Sequence, residues 1–126
     1  MSLLDRNDNE VIVTNNESRG RYEISYPGDS RPAGFADYIT RTTDDNDERL
    51  FIHTEIAEEL GGRGLASILV GEALSDTLPT GLTVVTVCPF VKSYIERNGY
   101  AGSWRDATDL DRAWIEDRVI PDKGLN

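Results

Sequence analysis

The apolar and polar positions divide the chain into short alternating runs followed by longer helical ones. Val11-Ile12-Val13 opens the ordered part as a short strand, and Asn15-Asn16 and Ser18-Arg19-Gly20 mark a turn after it. "RYEISY" (21–26) alternates, with Tyr22, Ile24 and Tyr26 on one face and Arg21, Glu23 and Ser25 on the other, the pattern of a half-buried strand. Pro27-Gly28-Asp29 closes it, and "AGFADYITR" (33–41) reads as the returning strand of an antiparallel hairpin that also carries Tyr38 on its core face or rim. "TTDDNDER" (42–49), with its acidic run Asp44–Glu48, reads as a solvated loop. "LFIHTEI" (50–56) is apolar at both faces near its start, as a central strand is.

A helix follows from about 64 to 78, with Leu65, Ile68, Leu69 and Ala73 on one stripe and Ser67, Gly71 and Ser75 away from it. Pro79-Thr80-Gly81 stops that helix. "LTVVTVC" (82–88) is β-branched and apolar, a buried strand parallel to 50–56 through the helical crossover. Pro89 then opens a second helix with Phe90, Tyr94 and Ile95 inward, closed at Asn98-Gly99 by a left-handed cap. The pattern β–β–β–α–β–α predicts one mixed sheet with helices packed on it, in a single domain over 11–120. Residues 1–10 and 121–126 read as loose ends. Trp104, Trp114 and Ile115 either seal an edge of the core or, for the tryptophans, serve a weak homodimer, so monomer and dimer both stay open.

Composition narrows the function. A net charge of −10 argues against a nucleic-acid backbone as partner and is compatible with a cationic substrate such as an amine. No apolar stretch approaches the roughly 20 residues of a membrane span, and no secretory pattern opens the chain. One cysteine, Cys88, and one histidine, His53, form neither an internal disulfide nor a Cys/His zinc site, so a cytoplasmic protein without a metal is expected.

Chemistry concentrates where "EELGGRGLASILV" (58–70) runs a strand through Gly61-Gly62-Arg63-Gly64 into a helix. Bare N–H groups at a helix start, with the helix dipole and Arg63 beside them, make an anion cradle. The loop is neither a phosphate-binding Walker loop nor a dinucleotide fingerprint. His53 and Glu55 share one face of their strand, opposite Thr54, where either could take a proton from an attacking amine. Cys88 ends a buried strand with Pro89 fitting the first helical position, and a helix N-terminus favours a thiolate placed there.

The hairpin, the loop between "LFIHTEI" and the helix, and the "CPFVKSYIERNGY" segment together resemble the GNAT superfamily of acyl-CoA-dependent N-acetyltransferases, over roughly residues 11–100. Glu59-Leu60-Gly61-Gly62-Arg63-Gly64 matches that superfamily's Gln/Arg-x-x-Gly-x-Gly/Ala loop at both glycines and departs from it at Glu59. "HTEI", "GGRGLASILVGEAL" and "VCPFV" are similar to the small minimal-domain branch, which lacks the usual helices between the first two strands. The resemblance implies a GNAT-like domain that binds acetyl-CoA or CoA. N–H groups across Gly61, Gly62, Arg63, Gly64, Leu65 and Ala66 would hold the pyrophosphate. The backbone at Glu55 and Ile56 would pair with the pantetheine arm, in a slot made by splaying strands 50–56 and 82–88.

The minimal branch carries a cysteine where Cys88 stands, which implies either an acetyl-cysteine relay or a small residue filling space beneath the cofactor. The superfamily's thiolate-protonating tyrosine falls at Ile95. Tyr94 lies one residue earlier, about 100° around the helix, so Tyr94, Cys88 and water all stay open as the proton source. The implied activity is acetyl transfer to a primary amine, a small molecule or an exposed lysine. The alternatives are a CoA-binding sensor without turnover and an interaction domain with no ligand.

Overall fold

The computed structural model describes residues 3–43 and 46–118. Seven strands form one mixed sheet: β1 (Leu3–Leu4), β2 (Glu10–Asn16), β3 (Arg21–Ser25), β4 (Gly34–Thr42), β5 (Asp47–Ile56), β6 (Thr83–Thr86) and β7 (Trp104–Asp106). Their spatial order is their chain order, antiparallel from β1 to β5 and parallel across β5–β6–β7. Each parallel step needs a crossover, and helices α1 (Leu65–Thr77) and α2 (Pro89–Asn98) supply them, with α3 (Asp109–Glu116) after β7. The α/β class, the antiparallel start and the βαβ unit are as the sequence pattern predicts.

Two apolar layers hold the sheet. On one face Tyr22, Ile24 and Phe51 pack under Leu69 and Val70 of α1 and Val91 of α2. On the other, Leu50 and Val85 pack under Ile115 of α3. Leu50 and Phe51 are consecutive, so β5 is buried on both sides, as its sequence predicts for a central strand.

Several elements differ from the sequence reading. Residues 3–10 are not a loose leader. Leu3 and Leu4 pair with Val11 and Glu10, and the buried Asp5 carboxylate accepts from the backbone N–H of Asn7 and Asn9 and from the Tyr26 hydroxyl. The polar stretch 42–49 is not a solvated loop throughout. Thr42 ends β4, β5 starts at Asp47, and Glu48 and Arg49 are buried because arginine, tyrosine and threonine partners await them. The strand expected over 82–88 is β6 alone, since the chain turns at Val87.

In α2 the buried residues are Val91 and Ile95, whereas Phe90 and Tyr94 are half-buried. Gly99 closes α2 with φ 80° and ψ 164°, a positive φ outside the left-handed helical region. Past residue 100 the chain forms β7 and α3, and Thr108 starts α3 with a capping box: its hydroxyl accepts from the Asp111 N–H while Asp111 accepts from the Thr108 N–H. Ile115 does seal a core, and the guanidinium groups of Arg41 and Arg118 lie over the Trp114 ring at 4.7 and 4.0 Å. The loose end read over 121–126 lies outside the described residues.

One ion cluster fastens α3 to the sheet. Arg41 of β4 bonds Glu48 at 2.6 Å and Asp111 at 2.8 Å, and Arg105 of β7 bonds the same two carboxylates at 3.0 and 2.7 Å. The Arg105 hydrogen bonds, ahead of those from Arg41 and Thr108, hold the Asp111 carboxyl far below the usual carboxylate range. A carboxyl depressed in the folded state contributes stability that is complete above its unfolded pKa, about 3.9, and fades as the pH falls below it. Asp111→Asn should therefore cost about 3 kcal/mol at neutral pH, where it leaves the partly buried Arg41 and Arg105 with Glu48 as their one shared carboxylate. In urea titrations across pH, the variant should also lose stability less steeply than wild type on the acid side.

Candidate active site

β5 and β6 pair from Glu48↔Thr83 to Phe51↔Thr86 and then part. The Phe51 carbonyl accepts from both the Val87 N–H at 3.1 Å and the Cys88 N–H at 2.8 Å, which turns the departing chain toward α2. β5 runs on to Ile56, still paired with β4 on its other side, so its edge over 52–56 has no strand partner among the described residues. At the same place β5 bulges. Asp37 pairs with His53 and Tyr38 with Phe51, leaving Ile52 as an extra residue that bends the strand where β6 leaves it.

The bulge sorts the side chains around the slot. Thr54 points toward α2, and its Oγ1 lies 3.5 Å from Cys88 Sγ. Cys88 is buried, sits in extended conformation at the N-cap of α2, and is followed by Pro89 at the first helical position, as the sequence predicts. His53 and Glu55 project from the opposite face, with His53 Nε2 3.1 Å from Glu55 Oε1, both open to solvent. Phe35 stands edge-on to the His53 ring at 6.3 Å. His53 is thus brought together with Glu55, and Cys88 with Thr54, on the two sides of one strand.

Beyond Ile56 the chain makes a 3-10 turn (Glu58–Leu60) and enters the glycine loop. Gly62 and Gly64 have φ of 80° and 77°, values that a β-carbon disfavours. The Gly61 N–H bonds back to the Glu58 carbonyl, but from Gly62 to Ser67 no backbone N–H finds an acceptor among the described residues. These donors open on a cavity of about 310 Å³ lined by the loop, Ile56, Phe90 and Arg6.

Arg6 is the site residue that the sequence reading missed. Its backbone N–H donates to the Arg63 carbonyl at 3.0 Å, and its guanidinium is 3.3 Å from where a Gly64 β-carbon would lie. Tyr26 ties the same corner together: its hydroxyl donates to Asp5 at 2.6 Å and accepts from Arg63 at 3.3 Å. The bond from Tyr26 holds the Asp5 carboxyl below its ordinary range, and the bond to Tyr26 raises the Arg63 guanidinium. Arg63, tethered by Tyr26, and the exposed Arg6 therefore stand beside a row of free N–H donors, a setting suited to a diphosphate. The available signal was the run Asp5-Arg6-Asn7-Asp8-Asn9, whose Asp and Asn content marks a turn rather than a tail.

Tyr94 does not join Cys88. It lines a separate groove of about 530 Å³ between α1 and α2, with Gly71, Arg97 and Asn98, that meets the cradle at Ser67. Its hydroxyl lies 2.6 Å from where a Gly71 β-carbon would be, so the glycine makes room for it. Among the described residues no group of three or more histidine, cysteine or acidic side chains could hold a metal ion. No helix of the described chain is long and apolar enough to cross a membrane.

A cradle at a βα turn, a parted parallel strand pair and a cysteine at the parting thus lie along one strand. The model of the GCN5-related N-acetyl-transferase family matches residues 21–104, two thirds of the chain, and the chain belongs to that family. Its function is accordingly of the acetyltransferase type. No curated protein matches the chain. The matched span takes in β5, the glycine loop, Cys88 and α2, and leaves Arg6 and α3 outside it.

Glycine to alanine inside a helix ordinarily stabilises by about 1 kcal/mol. At Gly71 the Tyr94 hydroxyl reverses that sign: Gly71→Ala should lower the urea midpoint of wild type. In a Tyr94→Phe background, where the hydroxyl is gone, the same change should raise it.

Proposed function

We propose that the protein is an acetyl-CoA-dependent N-acetyltransferase acting on a primary amine. The observation that carries this reading is the alignment of two features one strand apart. The free N–H row from Gly62 to Ser67 suits a pyrophosphate, and the unpaired edge of β5 over 52–56 suits an amide-bearing arm leading from it to Cys88. Gly61 through Ala66 with Arg6 and Arg63 hold the diphosphate, and the backbone about Glu55 and Ile56 pairs with the arm. The groove beyond Ser67, with Arg97 on its wall, takes the adenosine end.

The cosubstrate supplies an activated acetyl thioester. The residues of the chain then divide three tasks. Glu55 and His53, open on the face away from the helices, accept the proton that the amine must lose in attacking the carbonyl carbon. Thr54 and Cys88, at the inner end of the slot, face the sulfur on which negative charge collects as the carbon–sulfur bond breaks. The free N–H groups at the start of α2 stabilise that charge. Tyr94, turned onto Gly71, takes no part in the proton transfers. That placement is also the observation favouring the alternative, a module that binds CoA without turnover.

Calorimetric titration with CoA and acetyl-CoA tests the cradle. Wild type should bind both, Gly62→Pro should bind neither while keeping its circular dichroism, and Arg6→Ala should bind roughly tenfold more weakly. Thiol release should then be followed over a set of small amines and lysine peptides. Glu55→Gln should slow it about a hundredfold at unchanged CoA affinity. An acetylated Cys88 in quenched protein, seen by mass spectrometry, would assign the relay, and its absence with full turnover in Cys88→Ala would assign direct transfer. A folded wild type that releases no heat with CoA would overturn the reading; binding with no thiol release from any amine would leave the sensor.

A further inference from the structure

A third cavity, of about 420 Å³, lies at the opposite end of β5 and α1 from the glycine loop, bounded by the turn 17–20 and floored by Tyr38, Thr40 and Arg49. β5 separates Arg49 from Ile56 by about 20 Å of extended chain, so this cavity and the cradle do not overlap. Arg49 is only 8% exposed. Burying a guanidinium ordinarily demands an anionic partner. Even the less buried Arg21, Arg41 and Arg105 are each bonded to a carboxylate. Arg49 is not: among the described residues it forms no ion pair.

Its hydrogen bonds are all to neutral hydroxyls. Nε donates to Thr40 at 3.3 Å, and Nη1 donates to Tyr22 at 2.8 Å and Thr77 at 3.2 Å. Tyr22 in turn donates to Asp76 at 2.6 Å, so the nearest compensating charge is one hydroxyl removed. The guanidinium lies over the Tyr38 ring at 4.4 Å, and its Nη2 has no partner among the described residues. On the rim, exposed Arg19 adds a second cation and Ser18 a hydroxyl, against one carboxylate, Glu17. The cavity thus carries net positive charge in a chain whose net charge is −10.

We propose that this cavity is a binding site for a small organic oxyanion, a carboxylate or phosphate group held by Arg49 Nη2 and Arg19. Thr40, whose hydroxyl accepts from Arg49, keeps its own proton free to donate to the same ligand. The walls leave room for a body larger than the oxyanion, lying against the turn 17–20. The proposal is independent of the acetyltransferase reading, because it uses none of the residues of the cradle or slot.

The test is a nitrogen-15 NMR titration of the full chain with inorganic phosphate and, separately, succinate, at ionic strength held constant with chloride. The amides of Ser18, Gly20 and Thr40 should shift saturably with one or both probes. Arg19→Ala, an exposed change that leaves the core intact, should weaken that response about tenfold, the loss of one charge-assisted contact. Arg49→Lys keeps the charge but not the fork, and should weaken it further in a protein whose spectrum stays dispersed. Shifts confined to Gly62–Ala66 would report the cradle alone and overturn the proposal. So would shifts at 18–20 and 40 that never saturate or are unchanged in Arg19→Ala.

Discussion

The Phe51 carbonyl oxygen accepts two N–H groups, from Val87 and Cys88, and everything at the site follows from that sharing. A parallel strand normally spaces its bonds evenly along the partner. Here two successive donors converge on one acceptor, so β6 stops advancing along β5 and bends away. The Ile52 bulge bends β5 at the same level. The gap that results is polar on its β5 side, because unpaired backbone lines it, and ends at a thiol at the N-terminus of α2. Pro89, without an N–H, makes the departure irreversible for the ladder and begins the helix in the same step.

The anion cradle depends on a second constraint, the anchoring of the N-terminal segment. Arg6 reaches the glycine loop because β1 pairs with β2 and because Asp5 is held by Tyr26. Tyr26 also holds Arg63, so one hydroxyl positions both sides of a charged corner. In so acidic a chain, positive potential at the loop cannot come from the surface at large. It has to be built locally, from Arg63 held by Tyr26 and Arg6 brought to the loop by its backbone bond to Arg63.

Periodicity made the middle of the molecule legible in the sequence: "RYEIS", "LFIHTEI" and "LTVVTVC" have the alternation or the continuous burial that their layers require, and Gly62 and Gly64 of the loop occupy positions where φ is positive. The opposition of Thr54 to His53 and Glu55 was readable from strand alternation alone. What escaped had no hydrophobic period. β1 and β7 are two and three residues long, too short for one. Glu48 and Arg49 look like loop residues because charge is usually solvated, and only the tertiary arrangement of Arg41, Arg105, Tyr22 and Thr77 makes their burial favourable. Thr108-Asp109-Leu110-Asp111 did carry a helix-start signal, hidden among other charges. The direction of Tyr94 depended on the space left by Gly71, a packing relation between two helices that no local pattern encodes.

The meander order of the sheet has a consequence for how the molecule behaves among its own copies. Long open edge strands are templates on which other chains can add and polymerise. At β7 this sheet ends in three residues, too few to recruit a foreign strand, but β1 covers only Glu10 and Val11 of β2 and leaves the outer border of Ile12–Asn16 without a strand partner among the described residues. A second unpaired border is the interior one on β5 over 52–56, where β6 has parted from it. The fold therefore leaves one open border at the site for a guest molecule and another, on β2, on which a second strand can add.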